Sequence, residues 1–224
     1  IASYEISHYR LIEFIAKTNK PTFLSTGAAT IDEIEWAVNH FFKNGGKNLT
    51  LLQTTAKYPA PLESLNIYSM DVLKNKFNVP VGLSDHSIDP IIGPVCATAL
   101  GAGVIEKHFT LNKKLPGPDH SFALDPQELK EMINAIRNCE KCLGSKEKIV
   151  QDYEFELRDF AQRSIQCIKN ILKGEPFFEG VNFAILRSGK RNKGIHPKFL
   201  EILEGKTATR SISIGDGILE TDYE

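Results

Sequence analysis

The chain has little of anything that marks an unusual environment. Four cysteines, Cys96, Cys139, Cys142 and Cys167, among 224 residues exclude a disulfide-dense scaffold. Only Cys139 and Cys142 have the CxxC spacing used by metal and redox sites. A structural zinc needs a second pair of ligands, which the sequence lacks, and the pair falls late in a helical pattern, Glu128 to Leu143, rather than at a helix start. It reads as two ordinary helix thiols of a reduced, cytoplasmic protein. Charge of one sign is also missing: 27 Lys and Arg face 28 Asp and Glu, a net charge of −1. No global field therefore draws the chain to nucleic acid or an anionic membrane, and an anionic substrate has to be held by local groups. No apolar run is long enough to cross a bilayer.

What is present is a regular beat. Short apolar runs at Ile1–Ser3, Thr22–Ser25, Leu49–Thr54, Val79–Ser84 and Val104–Phe109 alternate with amphipathic stretches. One stretch starts at Thr30 with Glu33 three residues on, a capping-box pattern, and continues through Ile34, Ala37, Val38 and Phe41. Others run through Leu62–Phe77, Pro90–Leu100 and Pro126–Leu143. Strand and helix repeated at this interval predict βα units on a parallel sheet, here five of them. A closed (β/α)₈ barrel needs eight. The alternatives are an open doubly wound sheet or a barrel whose first three units lie upstream, and Ile1, inside a predicted strand, favours the second.

Past residue 144 the pattern stops. Residues 145–162 are charged, lack an apolar stripe and read as a linker. Residues 163–224 form a small β-rich module, with apolar segments Ser164–Ile168, Ala184–Leu186 and Ser211–Ile214 separated by glycine-containing turns.

Reactive groups of a barrel collect at the C-terminal ends of its strands. Those ends offer Ser3, then Ser25-Thr26-Gly27, Thr54-Thr55, Ser84-Asp85-His86 and Glu106-Lys107-His108. His86 and His108 end consecutive strands and are expected to be neighbours, two imidazoles able to take a divalent metal completed by water and substrate oxygens. Glu106, two residues before His108, shares its face; it is a candidate general base or metal-site partner, or the partner of a buried lysine. Ser3, Ser25 and Ser84 could cradle a phosphate, or each could cap a following helix. The rigid loop Leu115-Pro116-Gly117-Pro118-Asp119-His120 would aim Asp119 at a ligand. Arg187, Lys190, Arg191 and Lys193 are either a solvated loop or a source of one cation to the site.

The strings Val81-Gly82-Leu83-Ser84-Asp85-His86, Val104-Ile105-Glu106-Lys107-His108-Phe109-Thr110 and Leu115-Pro116-Gly117-Pro118-Asp119-His120 resemble the sialic acid (N-acetylneuraminate) synthase family. Ile1-Ala2-Ser3, Leu24-Ser25-Thr26-Gly27 and Tyr58-Pro59-Ala60-Pro61 fit it in the same order, and Arg163-Ser164-Ile165, Lys173-Gly174-Glu175 and Gly205-Lys206 resemble its antifreeze-like (SAF) domain. The resemblance implies the last five units of a TIM barrel over residues 1–144 and an SAF domain over 163–224. It implies that phosphoenolpyruvate condenses with an amino-sugar aldehyde at a site where His86 and His108 hold manganese, or alternatively magnesium or cobalt. Ser3, Ser25 and Ser84 would then contact phosphoenolpyruvate, and Tyr58, Asp119 and Phe160 the sugar. Arg187 would reach the partner subunit's site in a domain-swapped homodimer. Phosphate-binding lysines and an acidic residue of the family belong to the upstream strands, so these residues alone are expected to be inactive.

Two departures bear on the sugar. Gln53-Thr54-Thr55-Ala56 stands where the family usually has His-Cys-Thr and then Asn or Ser, and Ala56 cannot make that hydrogen bond. Leu186-Arg187-Ser188-Gly189 replaces Arg-Pro-Gly. N-acetylmannosamine, precursors of legionaminic or pseudaminic acid, and a spore-coat sugar all remain open. A pyruvate-using aldolase and an inactive binding relative are the competing expectations.

Overall fold

The computed structural model describes residues 1–224. They divide into two compact units, Ile1–Ser145 and Lys146–Glu224. The first runs α1 (Tyr9–Lys17), β1 (Thr22–Ser25), α2 (Ile31–Lys43), β2 (Leu49–Thr54), α3 (Ser69–Phe77), β3 (Val81–Asp85), α4 (Ile92–Ala99), β4 (Val104–Lys107) and α5 (Pro126–Leu143). Its sheet is parallel and four-stranded, in the order β1-β2-β3-β4, and curls as half of a (β/α)₈ barrel does.

The expected first strand, Ile1–Ser3, is not one. Ile1 exchanges hydrogen bonds with β1, its N to Phe23 O at 2.6 Å and Ser25 N to its O at 3.0 Å. From Ser3 the chain winds into a 3₁₀ turn that ends at Glu5, so the pairing stops after one residue. The helix expected over Leu62–Phe77 is also divided. A 3₁₀ turn, Leu62–Ser64, is separated from α3 by Asn66, which sits in the left-handed region at φ 44°. Asparagine tolerates that conformation, but a helix cannot pass through it. Elsewhere local signals hold: Thr30 Oγ1 accepts from Glu33 N at 3.4 Å while Glu33 Oε2 accepts from Thr30 N at 2.7 Å, closing the capping box of α2.

Strand alternation assigns the two faces. Leu24, Leu51, Val81, Leu83 and Ile105 point to the helices and pack with Ile34, Val38, Phe41, Met70 and Leu73 into one core. Pairing is Ser25↔Leu52↔Gly82↔Val104 at one level and Thr54↔Ser84↔Glu106 two residues on, so these residues line the opposite, concave face.

In the second unit the stretch read as a linker is partly helical: a 3₁₀ turn at Asp152–Glu154 leads into α6 (Phe155–Ala161). Its apolar residues Phe155, Leu157 and Phe160 are exposed, which is why no buried stripe was legible. β5 (Arg163–Cys167) and β6 (Phe183–Arg187) form an antiparallel pair, followed by the short helix α7 (Leu200–Leu203). The segment Ser211–Ile214 contributes a single bridge, Ile171↔Ile212, rather than a strand. Ile165, Ile171, Phe177, Phe183, Leu203 and Ile218 make a separate core.

Candidate active site at the strand ends

His86 and His108 each follow the last residue of a strand, β3 and β4, and these strands are neighbours in register. Their rings meet edge to face at 80°, with centroids 5.3 Å apart. Being two residues beyond Ser84 and Glu106, they continue the concave face.

His86 is held from the β2 side. Its Nδ1 lies 2.8 Å from Thr55 O, and Ala60 N donates to its carbonyl at 2.9 Å. A carbonyl only accepts, so Nδ1 carries the proton and Nε2 keeps its lone pair. Burial pushes the His86 imidazole below its ordinary pKa; the Thr55 bond opposes this, and the nearby His108 adds to it. A neutral imidazole with a free Nε2 can accept a proton, a hydrogen bond or a metal ion. Beside His108, Asp119 Oδ2 stands 3.7 Å from Nδ1.

No cluster of three or more His, Cys, Asp or Glu forms here. A divalent ion at this place would find two imidazole nitrogens, those of His86 and His108, and would have to complete its coordination with oxygens from elsewhere. Tyr58 covers the pair, its ring centroid 4.2 Å from His86 and 5.7 Å from His108, and buried Phe122 lies 5.1 Å from His108. Burial, with the charges of Tyr4, Asp119 and Glu106, raises the Tyr58 phenol, which keeps its proton.

Below the histidines, Ser84 Oγ donates to Glu106 Oε1 at 2.7 Å. Glu106 thus has a hydroxyl partner instead of the lysine that was one expectation. Ser3 Oγ accepts from Gly27 N at 3.0 Å and retains its own proton for a ligand. Ser25 is buried on the concave face, level with Leu52. These six residues, with Tyr58 and Asp119, are in the first unit. Phe160 on α6 and Arg187 at the end of β6 belong to the second, where both are exposed. Cys139 and Cys142 lie on α5 as free thiols.

Sequence reasoning passed over Asp85 and Lys107. They are register partners on the helix-facing side, where Leu83 and Ile105 set an apolar pattern, and they form an ion pair of 2.7 Å. Opposite charges breaking that pattern at matching strand ends were the available signal.

Residues 1–148 match the family model described as the NeuB family. The chain is 42% identical over 237 residues to the spore coat polysaccharide biosynthesis protein SpsE of Bacillus subtilis, across 99% of the chain and 63% of that protein. It is 41% identical over 223 residues to a pseudaminic acid synthase of Campylobacter jejuni, across 100% of the chain and 63% of that enzyme. Among solved structures, an N-acetylneuraminic acid synthetase from Leptospira borgpetersenii in complex with citrate aligns with a TM-score of 0.64 at 34% identity, over 71% of this chain and 56% of that one. The chain thus spans less than two thirds of the length of each of these relatives.

Proposed function

The chain belongs to the NeuB family, and from that premise we propose that the complete protein condenses phosphoenolpyruvate with the open-chain aldehyde of an N-acetylated amino sugar. The product is a nine-carbon 2-keto acid, and phosphate is released. The observation that carries this reading is the His86–His108 pair, one Nε2 free and the rings 5.3 Å apart, above Ser84 and Glu106 on one face. His86 and His108 would hold a divalent ion, manganese before magnesium or cobalt, which when bound supplies Lewis-acid polarisation of the aldehyde oxygen.

Ser3, Ser25 and Ser84 bind phosphoenolpyruvate, whose C3 attacks the aldehyde carbon. Water then adds at C2 and the C–O bond to phosphate breaks. Glu106 has Oε2 free to take the proton of that water while Ser84 holds Oε1. Tyr58 and Asp119 contact the sugar. Residues 163–224 act as an SAF domain that brings Arg187 to the other subunit's site in a swapped homodimer, in the cytoplasm. No helix of the chain is long and apolar enough to cross a membrane.

The relatives' names, a spore-coat polysaccharide protein and synthases of pseudaminic and N-acetylneuraminic acid, support a sugar of this class. Ala56 and the Leu186–Gly189 segment differ from the usual family pattern, so a precursor of pseudaminic or legionaminic acid or a spore-coat sugar competes with N-acetylmannosamine. Phosphate release by the complete protein, across a panel of 2-acetamido sugars with manganese, tests the proposal. Consumption of pyruvate in place of phosphoenolpyruvate, or no release with any sugar, would overturn it.

A further inference from the structure

On the helix-facing side of the sheet, directly behind the two histidines, lies a polar group with no part in the reaction proposed above. The side chains of Lys107 and Asp85 are 3% and 0% exposed. Burying two charges costs several kcal/mol of desolvation, so such a pair is weak evidence of a stabilising role. Its geometry indicates another one. Lys107 Nζ lies 2.7 Å from Asp85 Oδ2, 2.7 Å from Ser87 O, 2.9 Å from Asp89 O and 3.2 Å from Ser87 Oγ. An ammonium has three protons, and all are spent on residues 85–89. Asp85 Oδ1 in turn accepts from Ser87 N at 2.7 Å.

The turn that follows β3 is therefore wound around a cation carried by β4. His86 lies inside that turn, and His108 is the next residue after the cation. Gly93 of α4 leaves the space the pair needs, for a Cβ there would come within 2.7 Å of Asp85 Oδ2.

We propose that Lys107 is a positioning residue for the metal site: by tying residues 85–89 to the end of β4, it sets the separation and orientation of His86 relative to His108. This rests on the two-histidine reading of the site. Lys107 touches no substrate in it and acts only through the backbone that carries His86.

The test is a titration of the complete protein with Mn²⁺ alone, free Mn²⁺ being read by its paramagnetic resonance signal and folding by thermal melts. His86→Ala should abolish tight binding. In Lys107→Met, the Mn²⁺ dissociation constant should rise on the order of 10- to 100-fold, the range found when groups that orient metal ligands are removed. That variant leaves the buried Asp85 carboxylate without its counter-charge and can lose stability for this reason alone. The deciding variant is therefore the double Asp85→Asn, Lys107→Met, which buries no charge and keeps an acceptor for Ser87 N. It should melt close to the parent protein and still bind Mn²⁺ 10- to 100-fold more weakly.

Parent-like Mn²⁺ affinity in the folded double variant overturns the proposal. So does failure of both variants to fold, which would make Lys107 a structural residue of the sheet. A parent protein that takes up no Mn²⁺, or a His86→Ala variant that binds it as tightly, removes the metal reading itself and the inference with it. That outcome is told apart by appearing without any change at Lys107.

Discussion

His86 and His108 stand one residue beyond the register partners Asp85 and Lys107, and their imidazoles meet edge to face 5.3 Å apart. Neighbouring parallel strands ending at the same level thus bring together two imidazoles that are 22 positions apart in the chain.

Replacement of either histidine by alanine in the complete protein is expected to remove tightly bound manganese and to abolish phosphate release. Metal analysis beside the activity assay checks this. A parent-like metal content in His86→Ala or His108→Ala would remove the ligand assignment.

Glu106 is exposed on the concave face and makes its hydrogen bond with Ser84. Glu106→Gln keeps the shape and an acceptor for Ser84, so the melting temperature should hardly change. Loss of a proton acceptor should lower kcat by about 10²- to 10⁴-fold with a smaller effect on KM. An undiminished kcat would assign proton handling to another group.

Gly82, the second residue of β3, is a packing requirement. A Cβ there would run into Val104 O and come within 2.7 Å of Leu52 Cδ2. Gly82→Ala should therefore destabilise the protein by about 1–3 kcal/mol, the usual range for overpacking, as measured by denaturant unfolding. No loss of stability would mean that the sheet yields at this point.

Cys167 offers a pH-dependent prediction. Burial, reinforced by Asp216 and Asp222, raises its thiol from an ordinary 9.0 to about 11. The fold favours the protonated form, so the contribution of this group to stability is complete below pH 9.0 and is lost as pH rises towards about 11. The thiolate is the reacting species. At pH 8 a thiol reagent should modify the exposed Cys96 and Cys142 while leaving Cys167 until the protein unfolds. Rapid labelling of Cys167 in the folded protein would contradict the burial.

Much of the site was legible before the fold was known, because its signals are periodic. The βα beat placed His86 and His108 at consecutive strand ends, and the two-residue repeat of a strand put Glu106 on the face of His108. The capping box at Thr30 and Glu33 needs only residues close in sequence, and it formed as read.

Other features depend on what lies opposite a residue rather than beside it. The expected strand at Ile1–Ser3 gave way to a 3₁₀ turn, and Asn66 broke a helical pattern that looked continuous. Glu106 could equally have faced a lysine. Its bond to Ser84, and the enclosure of Lys107 by Asp85, Ser87 and Asp89, follow from the register of β3 against β4, which no local rule supplies. The sequence by itself determined which residues reach the strand ends, since alternation and repeat length are properties of one chain segment. Only the tertiary structure decided which of them touch, because register is set by hydrogen bonds between strands and by the helices packed behind them.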